Sequence, residues 1–337
     1  MKAIVLHGKD GNYRYESNWQ DPAKPDGWAI AKVAYSGVCG SDIPRFASNG
    51  SYRHPMILGH EFSGTVYEPS NKEGSLCKGT PVAVSPIIPC GICNGCLTIG
   101  PFHCSNYQFI GSRNDGGFAE FCAVPEDNLV MLGSINDLKA GCFFEPMAVG
   151  LHAVRKSGFK AGKSAIVFGA GPIGLLIGLW LEEFGASRVI MADIKTKNVE
   201  MAKDFGFEAV DLSKVDISDL DMVDFAFEAA GSGKALNDAI SILNGNGTLT
   251  VVGRDVNDTV IPVGAFEKLM RKEIRVLGCW GYDIRGEQAF VSKILSKNTK
   301  RLEKLISHVV PVEEAEIAIN DMCNQNIEYC KVIISFI

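Results

Sequence analysis

The sequence predicts an α/β chain in two parts. A β-rich domain covers residues 1–150 with 288–337 returning to it, and a doubly wound parallel-sheet domain covers 151–287. Three observations predict it. The first part is rich in Gly, Pro and short β-type runs such as "AIAKVAYSGV" and "TPVAVSPII", with little helical periodicity. From Lys163 onward, apolar strand-like runs alternate with helix-like segments, the pattern of parallel strands covered by helices on both faces. The final run, "KVIISFI", is apolar and β-branched and reads as a terminal strand that rejoins the first domain.

At the N-terminus, "MKAIVLHGKDGNYRY" reads as a first strand and a turn, without the layout of a cleavable signal. In the second part, "SAIVFGA" is a buried strand and "GPIGLLIGLWLEEFGA" a helix ending at Gly185. "RVIMADI" is a strand and "KTKNVEMAKDFGF" a helix. "MVDFAFEAAG" is a strand and turn, "KALNDAISIL" a helix and "GTLTVVG" a strand. "EQAFVSKILSK" and "VEEAEIAINDM" are helical stretches of the returning segment. A chain of 337 residues exceeds one compact core, which favours two domains. Its net charge of −6 argues against a nucleic-acid or anionic-membrane surface. No apolar run reaches the roughly 18 residues that cross a bilayer, so a cytoplasmic protein is expected.

"VFGAGPIG" places Gly169, Gly171 and Gly174 in G-x-G-x-x-G spacing at a strand-to-helix junction, the context that makes this motif informative. Gly169 permits the tight turn, Gly171 lets backbone approach a pyrophosphate, and Gly174 lets helix and strand pack closely. Asp193 ends the next strand 19 residues after Gly174. A carboxylate there can accept both ribose hydroxyls and would repel a 2′-phosphate, which points to NAD rather than NADP. Lys195 and Lys197 come next and pull the other way. The candidate cofactor set is Gly169, Gly171, Pro172, Ile173, Gly174, Asp193 and Lys197, with "VVGRD" (251–255) a later strand-end loop on the nicotinamide side.

Cysteine usage is uneven. Cys90, Cys93, Cys96 and Cys104 have C-x2-C-x2-C-x7-C spacing, while the other seven of the 11 are scattered. Four thiolates on one loop can close a tetrahedral Zn²⁺ shell, which leaves no position for substrate and makes that metal structural. An iron–sulfur cluster is the rival, although the third gap is too long for the usual bacterial run. A disulfide pair is the least expected in a reducing compartment. A catalytic metal must come from elsewhere. "GVCGSD" supplies Cys39, and "GHEFSG" supplies His60 and Glu61. Thiolate, imidazole and carboxylate make a borderline-soft set with an open position. Glu145, in "FFEPMAVGLHA", is a further carboxylate able to complete the shell or hold a water. Ser41, two residues after Cys39, offers a hydroxyl to carry the substrate proton outward, and Asp42 reads as a local cap. Arg45, Arg53, His54 and Arg113 are candidate donors to a substrate phosphate.

Together "CGSD", "GHEFSG", the four-cysteine lobe, "EPMAVGLHA" and "GAGPIG" resemble the zinc-containing medium-chain dehydrogenase family. The resemblance implies a GroES-like catalytic domain and a Rossmann NAD-binding domain with the active site in the cleft between them. It also implies hydride transfer between NAD and an alcohol, two Zn²⁺ per chain, and a homodimer or homotetramer. It makes Cys39, His60 and Glu145 the catalytic zinc positions, with Glu61 an alternative ligand, and Cys90, Cys93, Cys96 and Cys104 the structural ones. "SGVCGSDIPRF", "IIPCGICNGC", "FIGSRNDGGFAEF" and "FEPMAVGLHAV" are most similar to polyol dehydrogenases, and among these to the galactitol 1-phosphate enzymes. The substrate so implied is a hexitol phosphate oxidised to a ketose phosphate, ahead of sorbitol, xylitol, threonine or butanediol. One departure is Gly79-Thr80-Pro81-Val82 where the family has Gly-Asp-Arg-Val; it removes a buried acid–base pair but no metal ligand. A zinc-free reductase or a non-enzymatic NAD-binding relative would lack the Cys39 and His60 set.

Overall fold

The computed structural model describes residues 1–133, 137–255, 257–283 and 286–337. The chain divides into two compact units: residues 1–145 with 283–337, and residues 146–282. The divisions fall five residues earlier than the expected 150/151 and 287/288, the first of them inside the helix Phe144–Ser157 at its second residue.

The second unit is a six-stranded parallel sheet. Its spatial order is Glu208–Asp211, Arg188–Asp193, Ser164–Phe168, Val223–Glu228, Leu243–Val251, Arg275–Gly278. The chain thus runs outward from the first strand to one edge, then returns and runs to the other edge. This reversal leaves a crevice at the carboxyl ends of Ser164–Phe168 and Val223–Glu228, where dinucleotides bind in such sheets. The central strands are largely buried, with Ile166, Phe168, Ile190, Ala226 and Leu249 in one core cluster. The two edge strands have four residues each and mix charge with apolar residues. That composition hides them in the sequence, where a strand is recognised by continuous apolar character.

The helix Pro172–Glu183 comes after the first strand, with Pro at its start. It is apolar on all sides because it is buried from Gly174 to Leu181. Gly169 has φ +95, and a Cβ on Gly174 would sit 1.8 Å from the Gly169 carbonyl oxygen. Only glycine permits either the turn or the close helix–strand approach.

The first unit is built on a seven-stranded mixed sheet. The strands Glu61–Glu68, Trp28–Gly37, Lys331–Ser335 and Ile306–Pro311 are neighbours in that order. The C-terminal run therefore pairs with the N-terminal part of the chain, antiparallel to Trp28–Gly37 and parallel to Ile306–Pro311. Its residues Val332 and Ile334 share a core with Ile4, Leu6, Phe46 and Phe118. A second core lies around Val33, Phe62, Val82 and Val124. Strand register fixes which residues meet at the sheet end: Gly37 is opposite Glu61 on one side and opposite Ile333 on the other. Cys39, two residues past Gly37, and His60, one before Glu61, are therefore brought together by strand pairing although 21 positions apart.

Candidate active site and metal centres

Cys39, His60 and Glu61 present ligand atoms that all lie within 4.8 Å of one another. His60 and Glu61 are buried, and Cys39 is partly so. Asp42 is buried beside them. Its Oδ2 accepts the Cys39 amide at 3.1 Å, which closes the turn after the strand, and its Oδ1 faces His60 Nδ1 at 3.5 Å. The second contact lacks the geometry of a hydrogen bond, so Nδ1 is a buried nitrogen without a hydrogen-bond partner. A carboxylate behind the ring is the usual way to orient a metal-binding imidazole. Burial opposes the imidazolium, yet Asp42, Cys39 and Glu145 outweigh it and hold His60 well above its usual basicity. The surroundings thus favour positive charge at the imidazole. Donor types, burial and charge all fit zinc.

Lys331 Nζ lies 2.5 Å from Glu61 Oε2 and 3.3 Å from the Val38 carbonyl oxygen. It stands at the head of the C-terminal strand, where continuing the register from Ile333 and Gly37 sets it opposite Cys39. One carboxylate oxygen of Glu61 is therefore already held. Glu145, in the first turn of its helix, is buried but outside the set of mutually close ligand atoms. Burial pushes its carboxyl up to about 7, with the His60 charge drawing it back down. The structure brings together Cys39, His60 and Glu61, with Glu145 and Asp42 within electrostatic reach. Ser41 is exposed and its Oγ donates to Cys39 Sγ at 3.3 Å. The Phe109 ring stands edge-on to His60, 5.6 Å between centroids.

Cys90, Cys93, Cys96 and Cys104 form a second set with sulfurs within 4.8 Å of one another. Cys93 and Cys96 sulfurs are 3.5 Å apart and those of Cys90 and Cys96 3.9 Å. The edge of a zinc–thiolate tetrahedron is about 3.8 Å for a bond of about 2.3 Å. The backbone also prepares the thiolates. The amides of Cys90 and Asn106 donate to Cys104 Sγ at 3.3 and 3.4 Å. Amide donors at residues 96 and 105 lower the Cys93 thiol to about 5. All four cysteines are free of disulfides.

In the second unit, Asp193 organises the loop. Its Oδ2 accepts Ala170 N at 2.8 Å and Asn198 Nδ2 at 3.0 Å, and its Oδ1 accepts Lys195 N at 2.8 Å. The carboxylate that would meet a ribose also ties the glycine turn to the next strand. Gly171 is the residue before the helix starting at Pro172, so the first-turn amides, including those of Ile173 and Gly174, point to the loop without acceptors in the helix. Lys197 is exposed in the first turn of the helix Thr196–Phe205. Glu228, which no sequence motif marks, accepts three successive amides, from Ala230 at 2.9 Å, Gly231 at 2.7 Å and Ser232 at 3.3 Å. The amides of Val252 and Gly253, within the 251–255 loop, bond to its backbone oxygen at 2.8 Å.

The charged candidates on the first unit differ in their partners. Arg53 pairs with Asp115 at 2.8 Å and donates to the Pro55 carbonyl oxygen. His54 Nε2 accepts the Ser51 amide at 3.4 Å. The Arg45 guanidinium lies over the Tyr52 ring, and that of Arg113 over both Tyr52 and Tyr107.

A fold of this order with these two ligand sets defines a zinc-type dehydrogenase. Residues 25–134 match the alcohol dehydrogenase GroES-like domain, and residues 172–297 match the zinc-binding dehydrogenase domain. The chain belongs to the zinc-dependent medium-chain dehydrogenase family and is an oxidoreductase of that family. It is 34% identical over 334 residues to galactitol 1-phosphate 5-dehydrogenase of Escherichia coli, covering 96% of each chain. It is 31% identical over 312 residues to D-xylulose reductase A of Aspergillus niger, covering 87% of this chain and 86% of that one. The crystal structure of galactitol-1-phosphate dehydrogenase from Escherichia coli superposes with a TM-score of 0.92 at 32% identity, covering 99% of this chain and 100% of that one. Among the described residues, no helix is long and apolar enough to cross a membrane.

Proposed function

We propose that the protein exchanges a hydride between NAD and a secondary alcohol of a polyol, and that the polyol is a hexitol phosphate of the galactitol 1-phosphate kind. One observation carries the reading: the sulfur of Cys39, the imidazole of His60 and the carboxyl group of Glu61 lie within 4.8 Å of one another, in surroundings that favour positive charge. Zinc held there supplies Lewis-acid polarisation of the substrate hydroxyl. The chain's residues do the rest. Asp42 sets its charge beside the His60 ring, and Lys331 fixes Glu61. Glu145 adds a buried acid close to His60 that completes the shell or holds a water. Ser41, exposed beside Cys39, would turn its hydroxyl from Cys39 to relay the proton, taking the substrate's while giving its own to solvent water. The Gly169–Gly174 turn takes the pyrophosphate on helix amides and Asp193 the ribose, which supports NAD over NADP. Cys90, Cys93, Cys96 and Cys104 take a second, structural zinc. Similarity to the galactitol 1-phosphate enzyme supports the phosphorylated hexitol.

The experiment is NAD⁺ reduction by the zinc-loaded protein over galactitol 1-phosphate, galactitol, sorbitol, xylitol, threonine and butanediol. Strong preference for the phosphorylated hexitol is expected. Equal rates on free and phosphorylated polyols would remove the phosphate from the reading, and reduction by none of them would remove the polyol.

A further inference from the structure

We propose that Arg45 and Arg113, gathered on the Tyr52 ring and framed by Tyr107, are the receptor for the phosphate monoester of the substrate. The Arg113 carbon Cζ lies 4.3 Å from the Tyr52 centroid and 4.5 Å from that of Tyr107, and Arg45 Cζ lies 5.4 Å from Tyr52. Two guanidinium groups are thus drawn to one aromatic ring. Like charges repel at such range, and the negative ring face offsets only part of that. Arg53, on the same loop as Tyr52, has by contrast a carboxylate partner in Asp115. Among the described residues, neither Arg45 nor Arg113 has a carboxylate oxygen within ion-pair distance. Asp42 feels the Arg45 charge, but its oxygens face His60 and the Cys39 amide. Arg113 Nε is buried without a hydrogen-bond partner. Two guanidinium forks without carboxylate partners, and one buried donor without a hydrogen-bond partner, have the capacity to hold an anion. A phosphate, with three acceptor oxygens and close to two charges, suits the fork geometry of arginine.

The stack is also coupled to the metal-ligand cluster. Ser51 Oγ donates to the Ser112 carbonyl oxygen at 2.9 Å, which ties the Tyr52 loop to the Arg113 turn. The Arg113 amide bonds to the Phe109 carbonyl oxygen at 2.9 Å, and the Phe109 ring packs on His60. Tyr107, two residues before Phe109, belongs to the same run. A polyol whose hydroxyl is at His60 would therefore find the anion receptor on the same short stretch of chain. This inference deepens the polyol reading and takes the identity of the alcohol from it.

The test has two arms on the full-length, zinc-loaded protein, with Arg113→Met, Arg45→Met and Tyr107→Leu compared with wild type. The first is calorimetric titration with inorganic phosphate in the presence of NAD⁺, which fills the dinucleotide loop. The second is the ratio of kcat/KM for galactitol 1-phosphate to that for galactitol. Removing one charged donor is expected to weaken phosphate binding and lower the ratio about 10- to 100-fold. Tyr107→Leu, which removes no charge, is expected to act in the same direction but less. Phosphate affinity and ratio unmoved in both arginine variants would overturn the proposal while leaving polyol oxidation intact. If no polyol is turned over, the polyol reading fails by itself, and the titration alone decides: binding lost in the arginine variants supports the receptor, and no binding, or binding they retain, overturns it.

Discussion

The Lys331 ammonium lies 2.5 Å from Glu61 Oε2, and both side chains are buried. The two residues are 270 positions apart and meet because the C-terminal strand lies beside Trp28–Gly37. Burial by itself would lower the ammonium's pKa, but Glu61 and Cys39 raise it, so Lys331 is held charged. Removing one member of such a pair leaves an uncompensated buried charge, which costs about 3–5 kcal/mol. Lys331→Met is therefore expected to lower the melting temperature and weaken metal retention, and Lys331→Arg to recover part of both. Thermal unfolding with metal analysis checks this; a Lys331→Met protein as stable and as metal-rich as wild type would contradict it.

The four-cysteine lobe predicts a different phenotype. Cys96→Ser removes one of four ligands and should cost the protein one zinc and much of the lobe's stability, since binding energy at a structural site is folding energy. The proposed NAD site lies on the other unit, so affinity for NAD is expected to be retained. Zinc content and limited proteolysis of 86–110 read the outcome. A variant with full zinc and wild-type resistance would show that the knot is not a metal site.

Asp193 accepts the Ala170 amide, and in the proposed function it also takes the ribose. Asp193→Asn keeps the size but loses the charge. Affinity for NAD should fall by about 10- to 100-fold, the scale of a charge-assisted hydrogen bond. The ratio of NADP to NAD activity should rise because the repulsion of a 2′-phosphate is gone. An unchanged ratio would mean that the carboxylate does not select the cofactor.

Arg53 supplies a control. It is in an exposed ion pair with Asp115, and such pairs contribute only about 0–1 kcal/mol. Arg53→Ala should leave KM for any polyol or polyol phosphate close to the wild-type value. A loss as large as that expected for Arg113→Met would mean that the phosphate is held elsewhere on the loop.

Legibility in the sequence depends on where each signal lies. The four lobe cysteines are legible because four thiols at such close spacing have few other uses, whereas Cys39 and His60 stand out only through the family resemblance, since strand pairing and not spacing brings them together. The glycine turn is legible because its motif sits on a strand–helix junction. Asp42 reads as a local cap, and it does accept the Cys39 amide, but its second face toward His60 depends on strand pairing and not on spacing. Lys331 is hidden for the same reason. Its only local sign is a cation at the head of an apolar strand, which gains meaning once Glu61 is its neighbour. The edge strands Glu208–Asp211 and Arg275–Gly278 escape because an edge need not be continuously apolar. Tyr52 and Tyr107 escape because aromatic residues on loops announce nothing until the arginine between them is placed.

The central claim is that Cys39 and His60 share one catalytic zinc. Zinc stoichiometry and turnover of the Cys39→Ala protein, measured with NAD binding as the control for folding, test it most directly. The expected result is one zinc per chain where wild type holds two, with NAD affinity unchanged and turnover abolished. A Cys39→Ala protein that keeps both ions and oxidises polyols at an appreciable rate would contradict it.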